Sequence, residues 1–427
     1  MRILRGHQRL LLRPRSGGTA PPDSRLATHA PRPRPRAGIA LLVTLVVLAL
    51  LAVFLTEFTF ETSLETRSLQ NFQASFQARN AVKSLFKAVL VGLEGRPPGR
   101  KPLREVEFFE QLRVFIDFVN DLTKANYTVL NPPRPLGLPP ELISYAAPGL
   151  AESFPNAIFY TPYVRPIDHL FNLNRLDTDP GTPAENKIQQ EFSTLLEDEY
   201  QLLPALSQPM YALLHDWIDK DEERHPLGGN EQGFQGIELG GVAPKNTLFD
   251  DLKEAALVVG AYLPEEEIKQ LAWNKHFTVH AVGVLGDSLS QNDQGASRIN
   301  VNLADAEEIQ RFIDRQRNSE DIGSSKYKFL ERSQEIGEVL ARSKLARESG
   351  DEYKHKNDIS QKLESSPSTQ GLPVVADDFF LYYSGWYDIR LKAEVDGVQA
   401  EVRAVVSVDR KDDGTVEKLT IHEFTLR

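Results

Sequence analysis

From Ile39 to Leu55 the chain runs through 17 residues without a charge. As a helix rising ~1.5 Å per residue they would span about 26 Å. That approaches the ~30 Å hydrocarbon core of a bilayer, and Gly38 and Thr56 can lengthen it. A secretory signal would end in a small-residue cleavage site. Here polar sequence follows instead and keeps helical spacing. Leu64, Phe72, Phe76, Leu85, Val89 and Leu93 recur at roughly helical intervals, with Glu61, Glu65, Arg79 and Lys83 between them. The pattern predicts one rod, a transmembrane helix over 39–56 continuing as an amphipathic stem over 57–95.

The other clear pattern lies at the C-terminus. Tyr387, Ile389, Leu391, Ala393 and Val395 alternate with polar residues, and after Asp396-Gly397 so do Val398, Ala400, Val402, Ala404, Val406 and Val408. Period-two patterning around a two-residue Asp-Gly turn predicts a hairpin. A second turn at Asp413-Gly414 and a strand over 416–426 would complete an antiparallel meander. Its apolar face needs a cover, and the stem helix is the available one. Between these ends, the Gly/Pro/Arg cluster after residue 95 should stop the stem. A helix is expected over 105–123, a proline-rich loop over 132–140, and short strands over 158–163 and 169–174. Residues 191–347 read as helical, and the charged, Ser-rich stretch 348–371 as a mobile loop.

Charge settles orientation and narrows function. Residues 1–38 hold nine Arg and one Asp, a net +8 that leaves −19 on everything after them. The basic side of a membrane helix stays in the cytoplasm, so the body is extracytoplasmic. A body this acidic repels phosphate backbones, which argues against nucleic acid as a partner. There is no cysteine, hence neither a disulfide framework nor a thiolate metal site.

The most informative polar segment is Asp216–Phe234. Asp216, Asp219 and Asp221 fall at the end of an expected helix, and Gly228-Gly229 lets the chain return with Glu231. By composition this is a solvated helix end; the alternative is a loop of hard oxygen ligands of the kind Ca²⁺ takes. The spacing is not that of an EF-hand. Asp305 with Glu308 reads as a helix cap. No G-x-S-x-G or H-E-x-x-H string occurs, so no catalytic set is predicted. His215 is expected to pack or cap, and Trp217 to lie in a core.

A basic leader ending in Gly38, followed by an apolar helix that becomes an amphipathic stem, resembles the type IV pilin class. The fifth residue after Gly38 is Val43 where most pilins carry Glu, and in this the chain is similar to the K-type minor pseudopilins of type II secretion systems. So are Phe171–Leu176 (FNLNRL), the Asp-Trp-Ile-Asp-x-Asp string with its following Gly-x-Glu, the Pro-x-Asn element at 244–246 and Ile299–Ile309 (INVNLADAEEI). The resemblance implies an α+β, type IV pilin-like fold built from 96–190 and 372–427 with a large inserted α-helical domain at 191–347. It implies a prepilin leader over 1–38, cut between Gly38 and Ile39 by prepilin peptidase and N-methylated, and Ca²⁺ held by Asp216, Asp219, Asp221 and Glu231. It implies an inner-membrane, non-enzymatic role at the pseudopilus tip with I- and J-type minor pseudopilins. The rival reading is a membrane-anchored periplasmic hydrolase whose acidic cluster holds a catalytic metal.

Overall fold

A computed structural model describes residues 37–94, 105–124, 147–221, 223–228, 243–260, 273–280, 297–341, 353, 355–372, 376–411 and 416–427. The chain divides into two units, Met1–Arg67 and Ser68–Arg427. In the first, helix α1 (Ala37–Glu94) begins. An 18-residue stretch of it has a mean hydropathy of 2.7 and no buried residue, so it is long and apolar enough to cross a membrane. Its threonines hide their hydroxyls on the helix backbone, Thr44 Oγ1 on Leu41 O at 2.8 Å and Thr56 Oγ1 on Val53 O at 2.7 Å. A helix surrounded by hydrocarbon has to satisfy its polar groups internally in this way.

In the second unit the end of α1 packs on a five-stranded antiparallel sheet. Strands β7 (Trp386–Val395), β8 (Val398–Arg410) and β9 (Val416–Leu426) form the expected meander. Asp396 and Gly397 both have positive φ, 49° and 82°. A two-residue turn needs this to match the strands' right-handed twist. Strands β1 (Ala157–Phe159) and β2 (Tyr163–Pro166) pair with successive parts of β7. The single strand expected over 158–163 is thus two pieces. Between them the chain leaves the ladder at Thr161-Pro162, where proline has no N–H to give. Helix α2 (Glu105–Lys124) is tied to the outer strand by Asn120, whose side-chain amide makes hydrogen bonds of 2.7 and 2.8 Å with Phe159 O and N.

The stem covers the sheet with a different face from the expected one. Leu85, Val89 and Leu93 are buried, but Leu64, Phe72 and Phe76 are exposed. The buried stripe starts at the small side chains of Ala74, Ala78, Ala81 and Val82. At about 100° per residue, Phe76 lies roughly 200° round the helix from Ala74. The core continues through Phe115, Ile116 and Val119 of α2 and the inward residues of β7 and β8. This is the α+β, pilin-like arrangement.

The helical insertion is two similar lobes, each with its own core. The first opens with β3 (Phe171–Asn172), which pairs in parallel with β4 (Phe277–Thr278). The second opens with β5 (Ile299–Asn300), paired in parallel with β6 (Phe380–Leu381). In each, the strand's Asn accepts from the N–H two residues on, Asn172 Oδ1 from Asn174 N at 3.0 Å and Asn300 Oδ1 from Asn302 N at 2.9 Å. This turns the chain, so the strand expected over 169–174 ends at Asn172 and a helical turn, Leu173–Leu176, follows. The second Asn then holds two distant segments. Asn174 bonds both backbone groups of Phe249 and the carbonyl of Val279; Asn302 bonds both backbone groups of Tyr353 and the carbonyl of Tyr382.

Helices α3 (Ala147–Ser153), α4 (Pro183–Tyr200), α5 (Pro204–Ile218) and α6 (Leu252–Gly260) come next in chain order, the last three in the first lobe. Helix α4 starts before residue 191 because Thr182 caps it, its Oγ1 accepting from Glu185 N at 3.1 Å, with Pro183 in the first turn. Helices α7 (Ala306–Asn318), α8 (Ser333–Leu340) and α9 (Lys356–Ser365) build the second lobe. The expected cap holds: Asp305 Oδ1 accepts from Glu308 N at 2.8 Å and Glu308 Oε2 from Asp305 N at 2.9 Å. The stretch expected to be a loop over 348–371 contains α9, whose Ile359 and Leu363 are buried in the second lobe's core. Two apolar residues four apart sufficed to dock a helix in otherwise charged sequence. The proline-rich segment 132–140 and the Asp413-Gly414 turn lie outside the described residues.

Candidate functional site

The acidic cluster forms where α5 ends. Helical spacing puts His215 and Asp219 on one face, and Asp219 caps the helix with its N–H on His215 O at 3.0 Å. His215 Nδ1 lies 2.9 Å from Asp219 Oδ2, and its Nε2 lies 2.9 Å from the carbonyl of Thr178. One nitrogen faces a carboxylate at ion-pair distance and the other a carbonyl, surroundings that favour the charged ring. Burial alone would lower the His215 pKa. The hydrogen bonds to Asp219 and Thr178, with the charges of Asp219 and Asp216, raise it above the ordinary value.

Asp216, wholly buried, accepts the N–H of His225 at 3.1 Å through Oδ1. His225 accepts from Leu227 N at 3.2 Å through Nδ1 and therefore donates from Nε2 to Glu185 Oε1 at 3.0 Å. Glu185 Oε2 in turn takes Gly181 N at 2.9 Å. The loop after α5 is thus folded back on α4 by a chain of buried polar groups, with Asn246 N on Trp217 O at 3.0 Å closing it from downstream. Trp217 sits in the first lobe's core as expected.

Of the four residues implied as cation ligands, two come together. Asp216 and Asp219 lie beside His215, with one ligand atom of each within 4.8 Å of the others. Asp221 is exposed, and its Oδ1 accepts from Glu223 N at 2.7 Å. Glu231 lies outside the described residues. Both carboxylate oxygens of Asp219 are buried without a hydrogen-bond partner among the described residues, so a cation has oxygens to take there. His215 Nδ1 faces Asp219 Oδ2 at ion-pair distance, though neither atom completes a hydrogen bond among the described residues, and an imidazole nitrogen is a poor ligand for a hard cation. The two buried aspartates fit such an ion, and Asp221 as placed does not. Sequence reasoning set His215 aside as a packing residue. Its position four residues before Asp219 was the signal that could have joined it to the cluster.

Gly38 and Ile39 both lie in the first turn of α1. Val43 is 54% exposed on that helix.

Residues 169–272 match the family model described as type II secretion system (T2SS), protein K. No curated protein matches the chain. Among solved structures it resembles a chain of the GspK-GspI-GspJ complex from the enterotoxigenic Escherichia coli type 2 secretion system. The identity is 13%, with 85% of this chain and 99% of that one covered, at a TM-score of 0.43. The segment that resembles type II secretion system protein K runs from β3 through α6 of the first lobe and takes in the whole His215–Asp219 cluster.

Proposed function

We propose that this chain is the minor pseudopilin at the tip of a type II secretion pseudopilus. It joins I- and J-type minor pseudopilins, primes assembly of the filament and so supports export of folded proteins across the outer membrane. The observation that carries the reading is α1: one helix that is apolar and uncovered at its start and packed on an antiparallel sheet at its end. The solved relative is a complex of three such secretion proteins, which supports the choice of partners. Val43 supports the tip position. A carboxylate at that depth costs on the order of 3 kcal/mol unless a neighbour pairs with it, and a subunit with nothing above it has no such neighbour. In this reading prepilin peptidase cuts between Gly38 and Ile39. The helix crosses the inner membrane once with the body in the periplasm, and Asp216 and Asp219 hold Ca²⁺, which neutralises them and fixes the loop after α5. The hydrolase alternative finds little support, because a catalytic metal needs a position open to substrate and His215 and Asp216 are fully buried.

The test is co-purification of the membrane-extracted chain with its I- and J-type partners, followed by localisation on the filament. A stoichiometric ternary complex at one filament end is expected. Val43→Glu should not improve assembly. Subunits spread along the shaft would remove the tip assignment.

A further inference from the structure

A cavity of about 340 Å³ lies where β2, the first lobe and the second lobe meet. Four cations border it: Arg165 of β2, Lys275 of the helical turn Trp273–His276, and Arg311 and Arg315 of α7. Arg311 and Arg315 are four apart and share a helix face with Glu308. The acids on the wall are Glu199 and Glu308, and the latter is already used on the N–H of Asp305.

Of these four cations only Arg311 has a carboxylate within 4.0 Å among the described residues, while Glu199 and Glu191 act on Arg315 from further away. Arg165 donates to the carbonyls of Asn274 and Lys275, at 3.3 and 3.0 Å, rather than to a carboxylate. Its Nη2 lies 3.2 Å from His169 Nε2, which must therefore be the unprotonated acceptor. Arg315 has no carboxylate within 4.0 Å among the described residues, and its Nε is buried with no hydrogen-bond partner. Arg311 reaches Glu307 at 3.6 Å on the exposed side of the helix. Both cavity histidines stay neutral. Burial, with Arg165 and Arg315 nearby, holds His169 at about 3; burial against the opposing pull of Glu199 holds His276 at about 4. A desolvated guanidinium is costly unless an anion meets it.

We propose that this cavity is a binding site for a carboxylate carried on a short apolar group. Arg315 and Arg165 receive the carboxylate, since a guanidinium's fork of N–H donors matches its two oxygens. Leu170, Ile299, Leu303 and Ala304 provide an apolar wall for the attached group. Glu199 and Glu308 on the same wall disfavour a doubly charged phosphate. A free organic acid and the C-terminal residue of a polypeptide share this chemistry. The site is independent of the acidic cluster at α5 and does not rest on the assembly role.

The test is calorimetric titration of the full chain in detergent micelles, at constant ionic strength, with N-acetyl-leucinate. N-acetyl-leucinamide and inorganic phosphate are the comparison probes, and a short peptide ending in leucine separates the two sources. Saturable binding of N-acetyl-leucinate is expected, weakened by about tenfold or more in Arg315→Gln, as loss of a charged hydrogen-bond partner requires. Tighter binding of the peptide identifies a polypeptide terminus, and equal binding a free acid. If Arg315→Gln does not fold, Lys275→Gln at the cavity edge replaces it, with weakening again expected. The proposal fails if no probe saturates, if the amide or phosphate binds as tightly as the carboxylate, or if the folded variants bind like wild type.

Discussion

Replacing Asp219 with asparagine separates a cation site from a plain buried ion pair. Asparagine keeps the shape and a carbonyl oxygen able to accept from His215 Nδ1, now 2.9 Å from Asp219 Oδ2. It removes the charge that a cation needs. Two effects follow, and their sizes differ by condition. With no metal, His215 loses its close carboxylate and keeps only Asp216 at 3.9 Å. Because asparagine leaves a polar oxygen beside the ring, the cost should fall below the ~3–5 kcal/mol of breaking a buried pair outright, at about 1–2 kcal/mol. With metal, the wild type gains RT ln(1 + [L]/Kd), about 2.7 kcal/mol at a hundredfold excess over Kd, and Asp219→Asn gains nothing. That increment equals about a hundredfold slowing of amide exchange in the segment the ion holds. Hydrogen exchange of the full chain in micelles, read on α5 and on β7–β9, distinguishes the terms. Wild-type α5 should gain protection with Ca²⁺, more than with Mg²⁺, whose strict octahedral shell suits a loop less. The variant should start lower and not respond, and the meander should stay the same in both. Equal response of wild type and variant, or no response in either, would leave His215–Asp219 as an ion pair with no cation.

Three further outcomes are expected. Gly38→Asp should block processing, so that intact mass retains the arginine-rich leader, whereas wild type in peptidase-competent cells should begin at Ile39; an unprocessed wild type would refute the junction. Gly337→Ala should lower the melting temperature. A Cβ there would meet Ala306 O at 2.7 Å, and overpacking of about 1–3 kcal/mol outweighs the ~1 kcal/mol gained in helix propensity; a rise would show that α7 can yield. Acid should destabilise the fold through His169. Its folded pKa of about 3 lies below the ordinary 6.5, so the unfolded chain binds the proton first and stability falls as pH drops from about 6.5 towards 3. The unfolding free energy from urea titration should fall by a few kcal/mol at most, about 1.4 kcal/mol per pH unit, over that window, and His169→Gln should flatten the slope. Parallel slopes would count against it.

The sequence by itself determined the elements whose signal is local. An uncharged apolar run can only be a membrane-crossing or buried helix, and period-two alternation around Asp396-Gly397 can only pair as a hairpin. Asp305 and Glu308 announce a helix start because both halves of the cap lie within one turn. What the tertiary structure alone decided depends on partners far apart in the chain. Which face of the stem is buried was decided in space: Ala74, Ala78 and Ala81 are covered, although Phe72 and Phe76 are the more hydrophobic residues. The kinship of FNLN and INVN became visible only when Asn174 and Asn302 were seen bridging equivalent pairs of segments, since four letters carry too little pattern alone. The acidic string was legible as a cluster, but neighbours in sequence point to different sides once a helix ends. Asp219 turns inward to His215, and Asp221, two residues on, turns out to solvent. Arg165, Lys275 and Arg315 carry no common motif. Folding gathers them round one cavity because three packed layers meet there, and charge density in a cavity is a property of distance in space, which sequence separation does not encode.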